Sequence, residues 1–208
     1  MKTLLVINGH PDPRNERFCA GLSNAYQQGA EDGGWQVRRL NVGACPQEAL
    51  EALKHGSGDS AKAMLADIAW ADRLAVVYPL WFGQPPQDLH LLFSHLAEGR
   101  CVPANGRKAH VIVTMDMPAF AYRRLLQPGA ETQPMLDLPG LIAEDPVLIG
   151  CVSSIALEQR ERWLAAMRDF GMRTTLGSVR VPPRSASLAS IIDRTVAQWR
   201  GAQWWGAH

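Results

Sequence analysis

The sequence predicts an α/β fold built on a doubly wound, five-stranded parallel sheet in the order 2-1-3-4-5. Strand-like and helix-like patterns alternate along the chain, the mark of βαβ construction. The candidate strands are also short uncharged runs, among them Leu4-Leu5-Val6-Ile7, Leu74 to Tyr78 and Val111-Ile112-Val113. Such runs suit strands covered on both faces. Five strands fit the stated order, whose ligand crevice opens beyond strands one and three.

Taken in order, Thr3 to Asn8 is the first strand, ended by the turn-rich Gly9-His10-Pro11-Asp12-Pro13. Phe18, Leu22, Ala25 and Tyr26 recur at helical spacing and predict a helix from about Asn15 to Gln28, closed by Gly33-Gly34. Trp35 to Val42 alternates apolar and charged residues, as a more exposed second strand would. Cys45 to Gly58 is polar and reads as a surface segment with a short Ala/Leu-rich turn. Ser60 to Ala71 is helical, with Met64, Leu65, Ile68 and Ala69 as its apolar face.

The third strand, Leu74 to Tyr78, is expected to stop at Pro79, which has no N–H to give a ladder. Gln87 to Glu98 carries Leu89, Leu92, Phe93 and Leu96 at helical spacing. Arg107 to Thr114 is the fourth strand and Ala119 to Leu126 a turn or two of helix. Gln127 to Glu144, interrupted by Pro128, Pro134 and Pro139, gives no clear pattern. Pro146 to Gly150 is a short fifth strand. Leu157 to Phe170 is helical, with Trp163, Leu164, Met167 and Phe170 on one face and Gly171 at its end. Ser187 to Trp199 predicts a last helix before Trp204-Trp205. The whole, 1–208, is read as one domain, with 172–208 an extension packed on it or on a dimer partner.

The totals exclude several function classes. A content of 47% hydrophobic and 20% charged residues over 208 positions suits a globular domain with a substantial core. A net charge of +1 argues against bulk capture of nucleic acid or anionic membrane. No run of apolar residues reaches a membrane span, and the amino terminus enters a strand too soon for a signal peptide. Cys19, Cys45, Cys101 and Cys151 lack CxxC or metal-ligand spacing and read as reduced thiols of a cytoplasmic protein. No HExxH, GxSxG, GxGxxG or Walker pattern is present.

Three loops are expected at the carboxyl edge of the sheet: His10–Phe18, Pro79–Gly83 and Thr114–Tyr122. The first runs into a helix amino terminus, where free N–H groups and the helix dipole favour phosphate. His10, Arg14, Asn15 and Arg17 can add donors. The plainer alternative makes Asn15 an N-cap and leaves the arginines solvated. In the second loop, Trp81 and Phe82 offer a flat wall for a planar heterocycle, with the backbone of Pro79 to Gly83 as hydrogen-bond partner. The two aromatics could equally cap the sheet as core residues. The third loop offers Thr114, the backbone of Met115, Asp116 and Met117, and Tyr122.

Together, Gly9-His10-Pro11-Asp12-Pro13, Pro79-Leu80-Trp81-Phe82-Gly83 and Thr114-Met115-Asp116-Met117-Pro118 resemble the flavodoxin-fold NAD(P)H:quinone oxidoreductases, in particular their small bacterial branch, over most of Lys2 to Gly171. The resemblance implies a flavodoxin-like fold, FMN or FAD as cofactor, NAD(P)H as co-substrate, a quinone-like small-molecule acceptor and a homodimer. His10, Asn15 and the residues through Phe18 would hold phosphate. Pro79, Leu80, Trp81 and Phe82 would line the isoalloxazine, with Thr114, the backbone after it and Tyr122 at its edge. Tyr122 is the candidate polar group near the acceptor. The family usually has glycine where Asp116 stands. A carboxylate there, ~4 Å from an anionic reduced flavin, would repel it by ~4 kcal/mol at an effective dielectric of about 20. The family's Pro-Ala-x-Leu-Lys is replaced by Pro86-Gln87-Asp88-Leu89-His90, and the connection from Glu98 to Asn105 is short and without aromatics. These departures keep a second expectation in view: a flavin-poor regulatory or ancillary protein of the same fold.

Overall fold

The computed structural model describes residues 2–55, 58–81, 83–98, 107–125, 141–143 and 146–173. Strands β1 (Thr3–Asn8), β2 (Gln36–Asn41), β3 (Arg73–Leu80), β4 (Arg107–Met115), β5 (Leu141–Ala143) and β6 (Val147–Ile149) form one parallel sheet. Its order is β2-β1-β3-β4-β5, with β6 also on β4, so the expected five-lane order is present. The outer lane consists of two short pieces. Ala109 pairs with Ala143 and Ile112 with Val147, so three steps along β4 face four along the outer lane. The one extra residue breaks the ladder.

Period-two alternation divides the sheet's apolar residues between two layers. Leu5, Ile7, Leu74, Val76, Tyr78, Val111 and Val113 face α2 (Gln47–Ala52), α3 (Asp59–Trp70), α4 (Gln87–Glu98) and α5 (Ala119–Leu125). Leu4, Val6, Ala75, Val77 and Ile112 face α1 (Phe18–Asp32) and α6 (Leu157–Arg173). A buried polar cluster lies near the amino ends of β3 and β4. There Arg73 donates to His110 Nε2 at 2.7 Å, which leaves Nδ1 of the neutral imidazole to meet the Tyr26 hydroxyl at 2.5 Å. Phe170 stacks on the His110 ring, with centroids 4.3 Å apart.

Several sequence expectations need correction. α1 begins at Phe18 rather than Asn15, and its N-cap position is Arg17. The segment after Cys45 is not surface filler: Ala49, Leu50 and Leu53 are buried in the core. Ala69 is exposed on α3, where Ala61 takes the inward position. β3 runs through Pro79 to Leu80 instead of stopping. Val77 C=O accepts the Gly9 N–H at 2.8 Å, so Val77 bonds towards β1. Bonding sides alternate along a parallel strand. Pro79 therefore turns its nitrogen to the same side, past the last β1 rung at Asn8↔Val77, where no N–H is required. The expected helix at 187–199, Trp199, Trp204, Trp205, Cys101 and Leu96's side chain lie outside the described residues. Among the described residues no helix is long and apolar enough to cross a membrane.

Gly171 lies inside α6 rather than ending it. A Cβ there would come 2.1 Å from Tyr26 O, and one on Gly29 would come 1.8 Å from Arg168 O. The two helices thus touch backbone to backbone, and neither contact can yield by a side-chain rotation. Gly29→Ala and Gly171→Ala should each destabilise the fold by about 1–3 kcal/mol or more, as overpacking does. Urea unfolding followed by circular dichroism checks this, whereas Gly34→Ala, in open space at the helix end, creates no such contact and reports only the cost of its positive φ.

Candidate functional site

The carboxyl ends of β1, β3 and β4 are staggered. β1 pairs with β3 only as far as Asn8↔Val77, whereas β3 and β4 continue together through Pro79↔Thr114 and Leu80↔Met115. The first loop fills the step. Asn8 Oδ1 accepts the His10 N–H at 3.2 Å and His10 Nδ1 accepts the Asp12 N–H at 3.0 Å. His10 Nδ1 also lies 3.1 Å from Asp12 O, so this one nitrogen ties the ring to the Asp12 backbone. Burial, the largest influence, lowers the His10 pKa from 6.5.

Asp12 organises the rest of this loop. Its Oδ1 accepts the Arg14 N–H at 3.1 Å, a tight side-chain-to-backbone turn. Its carboxylate also takes the Arg14 guanidinium at 2.6 Å and the Arg17 guanidinium at 2.5 Å. These two cations hold the Asp12 carboxyl well below the usual carboxylate range, Arg14 contributing most. Both arginines are exposed, but neither is the free cation that the sequence suggested. Asn15 is exposed and is not the N-cap. Arg17, at that position, makes no side-chain cap, and the first turn of α1 carries no acidic residue. Phe18 turns to the α1–α6 layer, with the Arg160 guanidinium over its ring at 5.4 Å.

In the second loop Leu80 is buried and Trp81 stands 48% exposed. Trp81 is fixed by a reciprocal backbone pair with Gln84, N–H to O at 2.9 Å in each direction, around Gly83 at φ +79°. That left-handed angle suits glycine. Phe82 lies outside the described residues. The Trp81 ring meets the His10 ring edge-on, with centroids 6.0 Å apart and planes at 83°. The first and second loops therefore share a wall.

The third loop is directed differently from the expectation. Thr114 is buried, its hydroxyl 3.3 Å from Cys19 Sγ, within the sheet–α1 layer. Burial pushes the Cys19 thiol up to about 11, which makes it an inert neighbour. Met115 is buried in the opposite layer and Met117 is half-buried against it. The side chains of Thr114 and Met115 are thus turned inward, which leaves their backbone for a ligand. Asp116 is exposed, and its Oδ1 accepts the Ser153 N–H at 2.9 Å. A second tie joins the Cys151 N–H to Met117 O at 3.3 Å, with Cys151 half-buried and left-handed at φ 59°. The carboxylate is thus engaged with the 3-10 turn Val152–Ser154 beyond β6, on the β4 side away from β1. Tyr122 is buried in the α4–α5 layer, and burial raises its pKa.

The structure brings together His10 with Trp81, and Pro79 and Leu80 with Thr114 and Met115. It sends the side chains of Leu80, Thr114 and Met115 inward. Sequence reasoning missed three participants. Asp12 had a signal, since Asp two residues before Arg14 in a Pro-bracketed turn favours an Asx turn. Gln84 and Ser153 act through backbone groups, which leave no residue-type signal.

The family profile described as "Flavodoxin-like fold" matches residues 2–141. The chain belongs to this family. Among solved structures, Smu.1420 from Streptococcus mutans is similar at a TM-score of 0.64 and 18% identity, covering 83% of this chain and all of the other (100%). An NAD(P)H:quinone oxidoreductase from Methanothermobacter marburgensis is similar at 0.58 and 17% identity, over 84% of this chain and 96% of that one. An FMN-dependent NADH-azoreductase from Bacillus anthracis, in complex with FMN, is similar at 0.55 and 12% identity, over 85% and 100%. At these identities the likeness establishes the flavodoxin-like fold. No curated protein sequence matches.

Two measurements test this geometry. The folded His10 pKa lies below 6.5, so its neutral form stabilises the loop fully above pH 6.5, and that contribution is lost as pH falls towards the folded value. The His10 ring resonances should titrate below pH 6.5, and thermal stability should fall less between pH 6.5 and 5.5 in His10→Asn than in wild type. Asp116→Ala should accelerate hydrogen exchange at the Ser153 amide by about tenfold or more, the loss expected for a bond to a charged acceptor.

Proposed function

We propose that this protein is a flavin-dependent NAD(P)H oxidoreductase that passes two electrons to a quinone or similar acceptor. The observation that carries the reading is Trp81, a large aromatic left half-exposed at the end of the central strand and fixed edge-on to His10. It stands at the switch point where open α/β sheets take their ligands. The family membership and the printed activities of the structural neighbours support the same reading.

The residues fit FMN or FAD in three respects. The amino terminus of α1, with no side-chain cap and no acidic residue in its first turn, suits a phosphate. The Trp81 face suits a planar ring system, and the backbone at Pro79–Leu80 and Met115–Met117 suits its polar edge. The Asp116 carboxylate is bonded to the Ser153 N–H in the turn beyond β6, which supports a direction away from the ring. When bound, the flavin supplies the hydride exchange between NAD(P)H and acceptor. The chain's own part is to stack on the ring through Trp81, to hold phosphate at Phe18 and the residues behind it, and to present a neutral His10 at the wall. Tyr122, kept protonated by burial, is the donor closest in role to an acceptor oxygen.

The reading extends to a cytoplasmic homodimer, with 1–208 as one domain; of the expected extension 172–208, Met172 and Arg173 belong to α6 and the rest lies outside the described residues. FMN versus FAD is left to the titration. One observation favours the second reading, a flavin-poor regulatory or ancillary protein: Asp12 already occupies both loop arginines, so an incoming phosphate gains less from them.

Apo-protein titrated with FMN and with FAD should quench flavin fluorescence and acquire absorbance near 450 nm, and the loaded protein should oxidise NADH or NADPH with a quinone. Trp81→Ala should weaken flavin binding about tenfold, the scale of a lost stacking face. A folded wild-type chain that takes neither flavin contradicts the enzyme reading and leaves the ancillary one.

A further inference from the structure

Tyr78 is fully buried, and its hydroxyl has no hydrogen-bond partner. A tyrosine is an uneconomical choice for such a place. Phenylalanine would fill the same space without an unsatisfied oxygen, and buried tyrosine hydroxyls are normally partnered. The position is also specific. Tyr78 is the residue before Pro79 and pairs with Val113, one step beyond the last β1–β3 rung. Its ring belongs to the layer under α4 and α5.

The groups around it come from the first-loop side, from α4 and from the third-loop side. A Cβ on Gly9 would lie 3.1 Å from Tyr78 Cβ and 2.7 Å from Leu89 Cδ2, so the first loop closes directly over this spot beside the start of α4. From the third-loop side, Tyr122 is near enough for its charge to raise the Tyr78 pKa further, after burial as the main cause. Tyr122 makes no hydrogen bond either among those described. Tyr78 and Tyr122 therefore share the layer beneath α4 and α5, and of the two it is the Tyr78 hydroxyl that is both buried and without a partner. Burial keeps the Tyr78 phenol protonated at neutral pH, so its hydroxyl can donate to an acceptor.

Resting on the flavin reading above, we propose that Tyr78 is a further ligand-binding residue, whose hydroxyl donates to a carbonyl oxygen of the conjugated ring bound in the crevice. The oxygen belongs either to the flavin or to the quinone-like acceptor, which share this chemistry. Tyr78 acts from beneath the loops, with Tyr122 beside it, and complements the flat Trp81 face with polar recognition.

The test is Tyr78→Phe, which keeps the ring and removes the oxygen. In the ligand-free protein the variant should melt at the wild-type temperature or higher, because a hydroxyl without a partner contributes no bond. A fall of several degrees would show an internal partner and overturn the proposal. In the loaded protein one of two readouts should move about three- to tenfold. Weaker FMN or FAD binding with the quinone KM unchanged assigns the oxygen to the flavin. A raised quinone KM with flavin affinity unchanged assigns it to the acceptor. If wild type binds flavin and Tyr78→Phe matches it in both, the inference fails while the enzyme reading stands. If wild type binds neither flavin, the enzyme reading itself fails and takes this inference with it.

Discussion

The upper face of the molecule depends on one offset: β3 and β4 run on together after β1 has ended. The last β1–β3 rung is Asn8↔Val77, and the β3–β4 ladder continues to Leu80↔Met115. Proline makes the offset possible at no cost in hydrogen bonding, because the Pro79 nitrogen faces the side on which β1 has stopped. Gly9 then turns over Tyr78 and Leu89, His10 reaches Trp81, and α1 begins without a side-chain cap. Had β3 ended with β1, Trp81 would lie level with the sheet edge and the step would disappear.

Charge at this face is largely balanced within the protein. Asp12 holds Arg14 and Arg17, and Asp116 holds the turn after β6 through Ser153. Both carboxylates are thereby committed to loop architecture. What remains at this face for a ligand is backbone, the Trp81 ring face and the part-buried His10 imidazole. That set recognises a flat, polar-edged, hydrogen-bonding molecule better than a strongly charged one. Exposed ion pairs of this kind add little stability, so their contribution here is to fix loop shape.

Much of the fold was legible because the apolar runs are unambiguous. β1 and α4 have the bounds the sequence suggested, since an uncharged run bounded by turn residues and a clean helical period leave little choice. The misreadings have physical sources. Leu50 and Leu53 stand among charged and polar neighbours, so a short core-facing helix read as surface. Gly171 read as a stop signal because helix ends favour glycine, but here glycine admits a backbone contact with α1. The start of α1 slid forward because Asp12 spends its cap-like bonding on Arg14 in the loop. In the site, the side chains that advertise chemistry were visible, whereas their directions were not. Thr114 turns to Cys19 and Asp116 to Ser153, and residue type says nothing about either choice.

The central claim is that the step above β1, walled by His10 and Trp81, is where the ligand sits. Backbone amide chemical shifts of the labelled protein, recorded as FMN or FAD is added, test it most directly. The account predicts saturable changes confined to Gly9–Phe18, Leu80–Gln84 and Asp116–Tyr122. Changes centred instead on Lys2, Arg73 and His110, at the opposite edge of the sheet, would contradict it.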